Sequence, residues 1–254
     1  MQIQILLQTL VVPFFISVIA FRYLDERHAL AGMVVAWLVS YFWILGKVPF
    51  VPQTAEELLW IFMGVAVLSR YFLQKNTFQY SLMGMFLAAI AAISWPVLSY
   101  EITVQFVLEM LLFVAAGSVV VVFKCRSDRP ALLVVMGFTV LSLISALSGS
   151  LLIGQLAGSV SGVSAIYVLP EIRRYFRQKQ MQDKTFSVLM LLYLLILYIA
   201  RVFAEVELYV VIALMTAGLF GLFARKNTLL ILTALMYIVS VAIMYSLGSD
   251  SSYY

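Results

Sequence analysis

Fourteen of the sixteen Lys and Arg residues fall in every second gap between hydrophobic stretches. The basic gaps are 22–27, 70–75, 124–129, 173–184 and 225–226, and the gaps between them hold only Lys47 and Arg201. Short loops rich in Lys and Arg stay on the cytoplasmic side of a membrane during insertion. The alternation therefore predicts an all-α, polytopic transmembrane helix bundle of about ten spans. Both termini fall on the non-cytoplasmic side, and the expected location is a cytoplasmic or inner cell membrane.

The hydrophobic stretches place the spans at 3–21, 29–46, 58–73, 80–99, 102–123, 131–150, 151–169, 186–204, 208–223 and 228–247. A span needs about 20 apolar residues, so ten of them use nearly all of the 254 residues. The chain reads as a single integral membrane domain, 1–254, with no room for a soluble one. Its 11% of charged residues contrasts with about 25% in an average soluble domain. The weakest boundary is between the sixth and seventh stretches. Only Ser148-Gly149-Ser150 or Gly154-Gln155 can turn the chain there, and without a turn the five basic gaps would not share a face. Met1-Gln2-Ile3-Gln4 lacks the positive region of a cleavable signal, so the first stretch reads as a retained span.

The net charge of +4 is spread over five gaps and is accounted for by topology, so no nucleic-acid partner is expected. The expected partner is the bilayer. Trp43, Trp60 and Trp95 fall near non-cytoplasmic span ends, as an aromatic belt requires, while Trp37 lies deeper. In the longest basic gap, Arg173, Arg174 and Arg177 suit lipid headgroups. The segment reads either as a plain topology anchor or as a short surface helix with Phe176 and Met181 toward lipid.

A faint repeat runs through the chain. Lys75-Asn76-Thr77 recurs as Lys226-Asn227-Thr228, 151 residues later, and the same offset pairs Arg22 with Arg173, Ile61 with Ile212, Leu68 with Leu219 and Phe72 with Phe223. It fits a parallel duplication of 1–99 and 151–247 around a central hairpin, 102–150, of the kind from which transporters are often built.

Charge inside hydrocarbon costs about 2.5 kcal/mol or more, so it faces a cavity or a partner. Glu101, Gln105 and Glu109 are spaced by four, which stacks them on one helix face. The face continues into Phe113, Ala116 and Gly117, so the polar stripe starts at the surface and stops within the membrane, like one wall of a vestibule. Arg201 lies at a similar depth on another span. Pairing with Glu109, pairing with Glu205 and snorkelling to the headgroups are all open to it. Gln8, with Gln4 one turn before it, adds polarity to the same half, and Pro13 favours a kink there. Glu109, Gln105, Glu101, Arg201 and Gln8 are the candidate solute- or ion-binding residues. The surplus of acids on that side favours a cation by electrostatic focusing.

Gly154, Gly158 and Gly162 form a glycine zipper, which lets helix backbones approach closely within the chain or between protomers. The alternative is an unwound, backbone-lined site. Cys125 is the only cysteine and His28 the only histidine, which excludes an intrachain disulfide, bis-histidine haem ligation and a histidine-rich metal site. No cofactor is expected, and no metal ligands or catalytic residues are assigned. Walker A, Rossmann, zincin and Gly-x-Ser-x-Gly patterns are absent. Three functional classes follow. The first is a secondary transporter or permease for a small, preferably cationic, solute. The second is an integral subunit or assembly factor of a membrane complex, with partner subunits or a second copy. The third is a membrane enzyme acting on lipid-linked substrates through the carboxylates.

Overall fold

The computed structural model describes residues 4–5, 7–23, 28–48, 51–100, 102–123, 125, 127, 129–168, 181–223 and 227–250. Within them the chain forms ten α-helices and no strand. Helix α1 (Val12–Tyr23) continues a π-helical turn, Leu7–Val11. It is followed by α2 (Ala29–Leu45), α3 (Leu58–Phe72), α4 (Lys75–Tyr100), α5 (Val104–Val122) and α6 (Pro130–Leu147). Then come α7 (Leu151–Ser164, with a 3₁₀ turn Ala165–Tyr167), α8 (Asp183–Phe203), α9 (Leu208–Leu222) and α10 (Asn227–Asp250). Each lies on one of the ten hydrophobic stretches.

Four helices, α4, α5, α6 and α8, are long and apolar enough to cross a membrane, and the other six are shorter apolar helices. The chain is thus built as a membrane-embedded helical protein. Helices α6 and α7 separate at Ser148-Gly149-Ser150, where Gly149 takes φ +92°. That left-handed conformation is open to glycine and costly for residues with a Cβ. The Ser150 hydroxyl accepts from the Ile153 N–H as α7 restarts.

Helix α8 stands at the centre, packed against α3, α4, α5, α6, α7 and α9. Residues 188–200 are all buried, and a helix enclosed on every face has to be apolar on every face. Helix α2 closes the ring between α7 and α3, α1 packs outside on α2 and α7, and α10 packs outside on α6 and α9.

The helix ends that border the basic gaps meet one another. Phe21 packs edge-on to Tyr167, His28 stacks on Tyr71, and Phe123 packs edge-on to Phe223. Arg70 donates to the Gln182 side chain, Gln79 to the Val121 carbonyl, and the Lys184 ammonium lies over the Phe78 ring. We call this the basic end. Met181 corrects the picture of an apolar side chain turned to lipid: it is 6% exposed and packs into the core. Arg173, Arg174, Arg177 and Phe176 lie outside the described residues.

The glycine zipper is spent within the chain. A Cβ on Gly154 would come within 2.9 Å of the Ser142 carbonyl oxygen on α6. One on Gly158 would meet Thr9 Cγ2 at 2.5 Å, and one on Gly162 the Leu10 carbonyl oxygen at 3.2 Å. The π turn that α7 receives has a local cause. Pro13 has no N–H to close the preceding turn, and the Gln8 carbonyl there accepts from the Ser40 hydroxyl of α2.

Candidate functional site

Opposite the basic end, α5 begins at Thr103, whose hydroxyl accepts from the Phe106 N–H as a helix cap. Glu109 follows five residues into the helix, about 7.5 Å along its axis at 1.5 Å per residue. Its side chain is 8% exposed. Arg201 approaches from the last turn of α8, with Nε 2.9 Å from Glu109 Oε2 and Nη2 2.9 Å from Glu109 Oε1. This fork-on-carboxylate geometry is the strong form of the charge-assisted hydrogen bond. Gln105 Nε2 also donates to Glu109 Oε1, at 3.0 Å.

The end of α8 is shaped to complete the pair. The Val206 N–H reaches back to the Ala200 carbonyl at 3.4 Å. Glu205 between them takes φ +52°, the only non-glycine with positive φ among the described residues. The chain reverses so that the Val206 carbonyl accepts from Arg201 Nη1 at 3.0 Å. Arg201 is thereby fixed by α5 on one side and by its own C-terminal turn on the other.

The pair lines an open cleft of ≈ 350 Å³ with Val97, Thr103, Gln105, Phe106, Val202 and Glu205. Its floor is solid. Tyr198, one turn inward of Arg201, shares a 2.6 Å hydrogen bond with Ser94 of α4, and Ser94 donates to the Ile90 carbonyl. Phe113, one turn inward of Glu109, packs on Tyr198 with ring centroids 4.9 Å apart. Phe113, Tyr198 and Ser94 are fully buried.

Of the residues singled out from the sequence, Glu109, Gln105 and Arg201 meet here. Glu101 lies outside the described residues. Gln8 is 7% exposed in the π turn of α1 and does not line this cleft. Its backbone carbonyl, bonded to Ser40, does the visible work. Glu205 also lines the cleft; the sequence offered it as a rival partner for Arg201 and as one of the carboxylates of that side, not as a binding residue. Its exposed left-handed position one turn past Arg201 could not be read from spacing. Thr103 and Phe106 were also missed, although Thr before an apolar run is a helix-start signal.

No family model, no curated protein and no solved structure matches the chain.

A second polar cluster sits at the start of α3. Glu57, 2% exposed, accepts from the Gln53 N–H at 2.6 Å and from Lys47 at 2.5 Å. Nearby, the Tyr41 hydroxyl donates to the Glu56 carbonyl at 2.7 Å. The Gln53 hydrogen bond, and then Lys47, hold the Glu57 carboxyl below its usual range against the opposing effect of burial. Among the described residues, no three of His, Cys, Asp and Glu come together to hold a metal ion.

Proposed function

We propose that the chain is a secondary transporter or permease for a small solute. In this reading it is inserted with ten spans, with the basic end in the cytoplasm and both termini outside. The observation that carries the reading is the open cleft whose wall is the forked Glu109–Arg201 pair. A buried ion pair is a costly way to hold two helices together, because desolvation offsets much of its attraction. Intramembrane charges characteristically mark solute and ion pathways. Here the pair joins α5 to the central helix, so a shift of either helix changes the cleft. The packed layer of Phe113, Tyr198 and Ser94, one turn inward of the pair, would act as the closed inner gate of an outward-facing form. The gathering of the basic helix ends supports the orientation through the positive-inside rule.

The test is reconstitution into proteoliposomes, with currents recorded on a solid-supported membrane during jumps of small organic cations, anions and neutral solutes. A solute-dependent current is expected, and Glu109→Gln should abolish it while expression is retained. Absence of current for every solute class would remove the reading.

A second reading, an integral subunit or assembly factor of a membrane complex, is favoured by the filled centre of the bundle. Residues 188–200 of α8 are buried on all faces. Mild extraction from the native membrane would then yield stoichiometric partner proteins, whereas a transporter would come out alone or with copies of itself.

A further inference from the structure

We propose that the cleft takes a small ammonium ion bearing an apolar arm, and that Glu205 is the carboxylate that holds it. This rests on the cleft being a solute site, and it turns on which of the lining groups are already spent. The charge of Glu109 is spent on Arg201, and its Oε1 also accepts from Gln105. The Thr103 hydroxyl accepts from a backbone N–H, which leaves only its neutral O–H to donate. Three of the five guanidinium N–H groups of Arg201 are spent on Glu109 and Val206.

What remains is mostly acceptor. Glu205 is exposed and makes no hydrogen bond or ion pair among the described residues. The side-chain carbonyl of Gln105 is likewise free, since only its amide nitrogen is engaged. Glu207 adds a further carboxylate two residues on, at the start of α9. Among the described lining residues the only cation is Arg201, and it is already paired. A ligand that satisfies these groups must bring positive charge and hydrogen-bond donors. Val97, Val202 and Phe106 supply apolar wall, and an aromatic ring beside a carboxylate suits an ammonium group. A carboxylate ligand could reach the two leftover Arg201 N–H groups, the Thr103 O–H and the second Gln105 amide N–H, but it would do so against the negative charge of Glu109 and Glu205 with no unpaired cation in the described lining to meet it.

The test compares two probes of one shape and opposite charge, n-butylammonium and butyrate, by titration calorimetry on the purified full chain in detergent. Gel filtration and the thermal midpoint monitor folding. Saturable binding of n-butylammonium and none of butyrate is expected. Glu205→Gln should weaken it about tenfold or more, Glu205→Lys should reverse the preference toward butyrate, and Glu56→Gln, away from the cleft, should leave it unchanged. Equal binding of butyrate, no binding of n-butylammonium to folded protein, or unchanged affinity in Glu205→Gln would each overturn the proposal. Binding without proteoliposome current would remove the transport reading alone. Current without n-butylammonium binding would remove this inference alone.

Discussion

Lys47 and Arg201 are the two bases outside the alternating gaps, and each is held by a carboxylate, Lys47 by Glu57 and Arg201 by Glu109. At Glu57 the lowered carboxyl pKa makes a pH statement. A group whose folded pKa lies below its unfolded value stabilises the fold while ionised, and that contribution is lost as pH falls through the folded pKa. The wild-type thermal midpoint should therefore fall on acidification through and below pH 4.5 more steeply than that of Glu57→Gln. Parallel curves would mean the carboxylate contributes nothing. At the cleft, Glu109→Gln leaves the guanidinium without its counter-charge. Breaking a buried pair costs about 3–5 kcal/mol. The Arg201 side chain is 20% exposed, so solvent screening brings the expected loss to about 2–3 kcal/mol, read as a lower thermal midpoint. Glu205→Gly should act in the opposite sense. Relief of the left-handed conformation raises stability by about 1 kcal/mol, while ammonium binding is lost. A stability gain coupled to a loss of binding separates a recognition residue from a structural one.

The elements are shaped by a few positions with a local reason. In α7 three glycines admit α6 and the π turn of α1. Gly154→Ala should destabilise by about 1–3 kcal/mol, the usual cost of overpacking. The atom in its way is the Ser142 backbone oxygen, which cannot rotate aside. Gly84→Ala in α4, where nothing lies within 4 Å, should be neutral or stabilising by up to about 1 kcal/mol. Equal thermal midpoints for the two variants would refute the packing account of the zipper. The α6–α7 turn was legible because Ser148-Gly149-Ser150 combines a glycine able to take φ +92° with a serine able to cap the next helix. The π turn was only partly legible. Pro13 announced a disturbance, but the partner of the Gln8 carbonyl, Ser40, belongs to another helix.

For the whole molecule, the proposed orientation makes a labelling pattern testable. Burial pushes the Cys125 thiol up to about 11 and the thiolate is the nucleophile, so weak background labelling is expected from it. In a Cys125→Ser chain, cysteines at Gln53 and Ser99 should react with a membrane-impermeant maleimide in intact cells. Cysteines at Gln74 and Ser127 should react only after the membrane is opened. The reverse pattern would invert the topology and place the Glu109–Arg201 cleft on the cytoplasmic side.

The ten helices were legible from sequence because helix length, apolar content and the punctuation of basic gaps are local properties. The stripe of Gln105 and Glu109 was legible because a four-residue spacing fixes a helix face. Two charges at similar depth in hydrocarbon narrow the choice of partner, which is why Arg201 could be named beside Glu109. Hydropathy, however, separates water from apolar surroundings and is blind to whether those surroundings are lipid or protein. It could not reveal that α8 is the central helix while α2 lies in the ring, or that Met181 turns inward. Nor could it show that Glu57 is buried against Lys47, or that the end of α8 turns back to leave Glu205 free at the cleft. Those outcomes depend on which apolar faces meet, and only tertiary packing decides that.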